Sequence, residues 1–235
     1  MNCTLLSDLI RARLLSRDEQ MVTRKEKIEI HRIGIIDTGV NPWHSHVGGG
    51  VTGLRLFVDD DGAIQEDDDF RDVVGHGTAV AGILRQHLPE TEFFVVRVFD
   101  EDLRSYPSLV ARALLRAASE DCAIINLSLG MSPGPGSKIL EMACSEVLAA
   151  GIMIVASGHP EKPGLLPAAL PGIKGVVAAE HLQPGEIESA RSGDYEYAAS
   201  GQPRDLETRQ RPNMWGNSFA CARVSAYFAS RHDGA

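Results

Sequence analysis

Ile28–Asp37, IEIHRIGIID, is the stretch that decides the fold. It begins by alternating polar and apolar residues, then turns almost wholly apolar through Ile33–Ile36 and stops at Asp37. A run apolar on both faces belongs to a parallel strand inside a covered sheet. Four later segments read alike: EFFVVRVF (Glu92 to Phe99), CAIINLSL (Cys122 to Leu129), GIMIVAS (Gly151 to Ser157) and GVVAA (Gly175 to Ala179). Helical spacing fills the intervals Thr78–His87, Ser108–Glu120 and Ser137–Ala150. In the last of these, Ile139, Leu140, Ala143, Val147 and Leu148 are expected on one face. Strand alternating with helix predicts a three-layer α/β fold with a mostly parallel central sheet, helices on both faces and right-handed crossovers. Sites in such sheets lie in the loops at the carboxyl ends of the strands.

The rest of the composition narrows the function. The chain has 235 residues, 43% of them hydrophobic, enough to bury a sizeable core. Asp and Glu outnumber Lys and Arg by 32 to 23, a formal charge of −9 that argues against a nucleic-acid partner. No run approaches the roughly 18 apolar residues of a membrane span. The four cysteines, Cys3, Cys122, Cys144 and Cys221, are too scattered for a disulfide framework or a zinc knuckle. Residues 1–27 differ from the remainder: Leu5, Leu6, Leu9, Ile10 and Leu14 would make an amphipathic helix, followed by the charged stretch RDEQMVTRKEK. The expected organisation is a helical extension and linker over 1–27 and a single α/β domain over 28–235. Asp59–Asp61 and Glu66–Asp69 form an acidic stretch expected in a solvated loop.

Three segments carry chemistry. IGIIDTGV ends a buried strand with Asp37, GHGTAVAGI starts a helix with His76 between two glycines, and WGNSFACARVSAYFA starts another with Ser218. A hydroxyl nucleophile needs a base to take its proton and a buried carboxylate to fix the tautomer of that base. These residues lie far apart in the chain and meet only through the fold. Singly, each has an ordinary structural explanation as a turn former, loop histidine or helix cap.

Together, in this order, the segments resemble those of the subtilisin-like serine proteases, the subtilases. GHGTAVAG is similar to the H-G-T-x-V-A-G segment of that family and GNSFACARVSA to its G-T-S-x-A-x-P segment, while His44 falls where a second, structural histidine follows the Asp. NLSLG (Asn126 to Gly130), LPAALPGIKGVVAA (Leu166 to Ala179) and SGDYEYAASG (Ser192 to Gly201) also run in family order. The resemblance covers residue 28 to the C-terminus. It implies a catalytic triad of Asp37, His76 and Ser218. It further implies that an extended peptide pairs between Ser128, Leu129 and Gly130 on one side and Leu103, Arg104 and Ser105 on the other.

The pattern departs from the family in three places. Where the family carries an Asn that donates to the oxyanion, this chain reads IVASGHPEK, with His159 at the position. Asn Nδ2 and His Nδ1 are both two bonds from Cβ, so a protonated Nδ1 would present a donor at a similar point. Losing such a donor costs about 10²–10³ in kcat. Ala222 replaces a structural proline, and Cys221, three residues after Ser218, reads as a buried small residue. The stretch GILRQHLPETEFFVV is too short for the calcium-binding loop of many subtilases, and the acidic stretch lacks EF-hand spacing. His44 and His46 lack a third ligand with meaningful spacing. No metal and no cofactor is expected.

The expected activity is hydrolysis of peptide bonds in a peptide or protein substrate through an acyl-enzyme. No export signal or long propeptide is evident, so the expected location is the cytoplasm and the expected specificity narrow, for a precursor or leader peptide. Two other readings stay open: a peptide-binding pseudoprotease with an impaired oxyanion hole, and a peptide cyclase or ligase using the same acyl-enzyme. The oligomeric state is left open by the sequence.

Overall fold

The computed structural model describes residues 32–192, 195–204 and 215–232. The helix expected within residues 1–27, and the start of the first expected strand, lie outside them. Among the described residues a single nine-stranded sheet runs, edge to edge, through β3 (Ile64–Asp67), β2 (Val51–Val58), β4 (Glu92–Arg97), β1 (Arg32–Asp37), β5 (Ile124–Leu127), β6 (Met153–Ser157), β7 (Lys174–Ala178), β9 (Tyr195–Ala199) and β8 (Ile187–Ser192). The five strands read from apolar runs form its centre: β1 (Arg32–Asp37), β4 (Glu92–Arg97), β5 (Ile124–Leu127), β6 (Met153–Ser157) and β7 (Lys174–Ala178). They pair in parallel throughout.

Both edges are antiparallel hairpins: β2 (Val51–Val58) with β3 (Ile64–Asp67), and β8 (Ile187–Ser192) with β9 (Tyr195–Ala199). The acidic stretch is therefore not all loop. Asp59–Asp61 sit at the hairpin turn, where Asp59 Oδ1 accepts the Asp61 and Ala63 N–H groups. Glu66 and Asp67 lie on β3, where Asp67 is ion-paired with Arg55 across the hairpin.

Alternation along the central strands divides the core in two. Ile33, Ile35, Phe93, Val95, Ile124 and Val155 face α1 (His76–His87) and α4 (Asn217–His232). Ile36, Phe94, Val96, Ile125, Leu127 and Ile154 face α2 (Pro107–Ala118) and α3 (Ser137–Ala149). This is the expected three-layer arrangement. On α3 the inward residues are Leu140, Ala143, Cys144 and Val147, whereas Ile139 is 51% exposed. The buried stripe is therefore rotated away from Ile139 toward Cys144, with Leu148 packed at its margin. No helix among the described residues is long and apolar enough to cross a membrane.

Candidate active site

Asp37 closes β1 at the centre of the sheet and is 1% exposed. Its Oδ1 accepts the Thr38 N–H at 2.7 Å and lies 2.7 Å from His76 Nδ1. The imidazole can come this close because the next residue is Gly77: a Cβ there would overlap the Gly39 carbonyl oxygen and crowd Asp37. Phe219 packs against the imidazole, ring centroids 5.8 Å apart. Burial pushes the His76 pKa down, but the charge and hydrogen bond of Asp37, with the Asp72 charge behind them, outweigh it and hold the pKa above the ordinary histidine value.

Asp72, which the sequence reading did not single out, organises the start of α1. It is 8% exposed and its carboxylate takes five donors. Thr38 Oγ1, Val74 N and Gly75 N reach Oδ1 at 2.9, 3.0 and 2.7 Å. Thr78 N and Oγ1 reach Oδ2 at 2.8 and 2.7 Å. The Asn41 side chain brackets the Asp72 backbone, accepting its N–H and donating to its carbonyl. Thr38 Oγ1 in turn accepts the Gly77 N–H at 2.9 Å. Orphan N–H groups at the helix start are thus satisfied by side chains upstream of the N-cap residue, Gly75. An acidic residue shortly before an apolar helix is the sequence signal of such a cap.

Arg97, at the end of β4, links this loop to the opposite side of the site. Its guanidinium donates to the Arg71 carbonyl and to Asp100 Oδ1 and lies 3.9 Å from Asp69.

Ser218 opens α4. Asn217 Oδ1 accepts the Ala178 N–H at 2.8 Å, tying the helix start to the end of β7. A buried polar chain then fixes the serine. Ser225 Oγ donates to Asn126 Oδ1, Asn126 Nδ2 to Ser128 Oγ, and Ser128 Oγ to the Ser218 carbonyl. Ser218 Oγ donates to the Ser128 carbonyl at 3.2 Å. Among the described residues the nucleophile candidate is therefore engaged by Ser128 rather than by His76, and catalytic contacts of this kind commonly tighten only with substrate bound. Cys221 is buried against the Leu127 and Val155 carbonyls, and burial pushes its thiol far up, so it is a packing residue as expected.

The two expected substrate segments meet at one cleft of about 290 Å³, lined by Phe99, Leu103, Arg104, Ser105, Tyr106, Leu129, Gly130 and Met131. Ser128 does not line it; both of its oxygens are turned to Ser218. Leu103, at the rim, has φ 54°, a left-handed conformation that L-residues other than Asn and Asp rarely adopt.

His159 follows β6 directly, but its ring is not turned as expected. Nδ1 accepts the Glu161 N–H at 3.2 Å, so in the neutral ring the proton sits on Nε2. A donor at Nδ1, the atom matching the family's Asn, is excluded by this backbone contact; the available donor is Nε2–H. Among the described residues no three His, Cys, Asp or Glu side chains come together to hold a metal ion.

The subtilase family model matches residues 31–232. The thermostable alkaline protease of Halalkalibacterium halodurans is 28% identical over 181 residues, 72% of this chain and 47% of that protein. The major intracellular serine protease of Bacillus subtilis is 26% identical over 144 residues, 57% of this chain and 44% of that protein. The chain thus spans about half the length of these relatives. A cold adapted subtilisin-like serine proteinase shares the fold with a TM-score of 0.66 at 22% identity, over 85% of this chain and 74% of that one. The prenylagaramide maturation protease PagA shares it with a TM-score of 0.59 at 21% identity, over 92% and 78%. Matched over most of its length, the chain belongs to the subtilase family.

Proposed function

We propose that the protein is a serine endopeptidase that cuts a precursor or leader peptide through an acyl-enzyme. The contact of 2.7 Å between buried Asp37 and His76, beside a helix whose second residue is Ser218, is the observation that carries this reading. Ser218 Oγ attacks the scissile carbonyl while His76 Nε2 takes its proton, and Asp37 stabilises the imidazolium. The Ser218 N–H and His159 Nε2–H hold the oxyanion. The imidazolium then protonates the leaving amine. A water molecule, deprotonated by His76, hydrolyses the ester and frees the serine.

The cleft between the 103–105 and 129–131 segments accepts the extended substrate, with Phe99, Leu129 and Met131 offering an apolar pocket to one of its side chains. Narrow specificity is supported by the maturation role named for the fold neighbour PagA. A cytoplasmic location is supported by the relative named as an intracellular protease.

Incubation with peptides encoded beside the gene, followed by mass spectrometry, tests the reading. One peptide is expected to be cut at a single position, with unfolded casein left largely intact. Rapid digestion of casein would contradict narrow specificity. A product joined head to tail would assign acyl transfer instead, and a bound but uncut peptide a pseudoprotease.

A further inference from the structure

Tyr195 begins β9, is 6% exposed, and sends its phenol into a loop 36 residues earlier in the chain. The hydroxyl oxygen accepts the His159 N–H at 3.1 Å. Its own proton has two carbonyls in reach, those of His159 at 3.1 Å and Lys162 at 3.0 Å. Among the described residues, the partners of this buried hydroxyl all belong to the four residues from His159 to Lys162. The ring lies directly on Gly158, where any Cβ would overlap it. Gly158 is itself held to β7 by its N–H on the Val176 carbonyl at 2.7 Å.

Inside the loop, the Lys162 N–H closes a turn onto the His159 carbonyl at 3.0 Å, and the Glu161 N–H closes a second onto His159 Nδ1. The backbone N–H, the carbonyl and one ring nitrogen of His159 are all fixed, which leaves Nε2–H as the ring donor without a partner among the described residues. A phenylalanine at position 195 would fill the same space but leave the His159 N–H and the two carbonyls without the hydroxyl.

We propose that Tyr195 is a positioning residue: its hydroxyl clamps the 159–162 loop so that His159 presents Nε2–H to the oxyanion. This rests on the peptidase reading above and adds to it the residue that sets the donor. An oxyanion donor acts only when it is aimed in advance at the developing charge, so freeing the loop lowers kcat more than it raises KM.

The test uses 4-nitrophenyl acetate as acyl donor with wild type, Tyr195→Phe, His159→Ala and the double variant. Hydrogen exchange of the 159–162 peptide and the thermal midpoint are measured on the same preparations. Tyr195→Phe is expected to lower kcat by about 10–100-fold, part of the loss for a whole donor, with KM within about twofold. Exchange across 159–162 is expected to speed up while the rest of the sheet stays protected. The double variant is expected to be no slower than His159→Ala, because the clamp acts only through His159.

A Tyr195→Phe kcat equal to wild type overturns the proposal. So does a double variant whose losses multiply, which would give Tyr195 an effect independent of His159. An unchanged exchange rate in the loop overturns the clamp itself, whatever the kinetics. A wild-type protein that forms no acyl-enzyme removes the peptidase reading and the positioning role together, and the exchange measurement then still reports whether the hydroxyl holds the loop.

Discussion

Asp37→Asn is expected to lower kcat by about 10⁴-fold while the protein stays folded. His76 Nδ1 lies 2.7 Å from Asp37 Oδ1, so the carboxylate holds the ring with its proton on Nδ1 and its lone pair on Nε2, toward substrate. An asparagine amide can present N–H to Nδ1 instead. The ring then carries its proton on Nε2 and cannot accept one from the serine. The second oxygen, Oδ2, is buried without a hydrogen-bond partner among the described residues, so the carboxylate's charge is met at Oδ1 alone, by the Thr38 N–H and the His76 ring.

The pH profile should change with it. In the wild type His76 must be neutral to act, and its raised pKa places the acid limb of kcat/KM above about 6.5, the free histidine value. Removing the Asp37 charge destabilises the imidazolium, so the residual activity of the variant should persist to lower pH. An unaltered acid limb would mean that another group controls it.

Asp72→Ala is expected to cost about 3 kcal/mol or more, measured by urea unfolding. It leaves five donors without their acceptor, and each buried donor left unpaired costs about 1–3 kcal/mol. The damage is not confined to stability. The same carboxylate sets the entry of α1, and through Thr38 and Gly77 it holds His76 against Asp37. Activity measured well below the unfolding midpoint should therefore fall as well. Asp72→Asn keeps the shape and one acceptor oxygen, so it should be less destabilised. It should still shift the acid limb of kcat/KM to lower pH, since one negative charge near the imidazolium is gone. An Asp72→Ala protein as stable as wild type would contradict the capping role.

The central strands were legible because burial on both faces leaves apolar runs that no surface element needs. The edge hairpins were not. Strand β2 buries only Leu54 and Leu56 among polar and half-exposed neighbours, and β3 is largely acidic and exposed, so neither reads as a core strand. Asp37, His76 and Ser218 were legible because short motifs surround them. Asp72 was hidden because an aspartate just beyond an acidic stretch looks like any other until its five donors converge.

Two orientations also lay beyond sequence reading. The direction of the His159 ring depends on a backbone N–H two residues on, and that of Ser128 on the helix that brings Ser218 to it. Tyr195 resembles any strand tyrosine until its hydroxyl is seen in the 159–162 loop.

Covalent labelling by a fluorophosphonate, read by intact and peptide mass spectrometry, tests the account at its centre. The wild type is expected to gain one phosphonyl group, on Ser218, and Ser218→Ala none. A wild type that takes no label, or a Ser218→Ala protein that labels equally fast, would contradict the account.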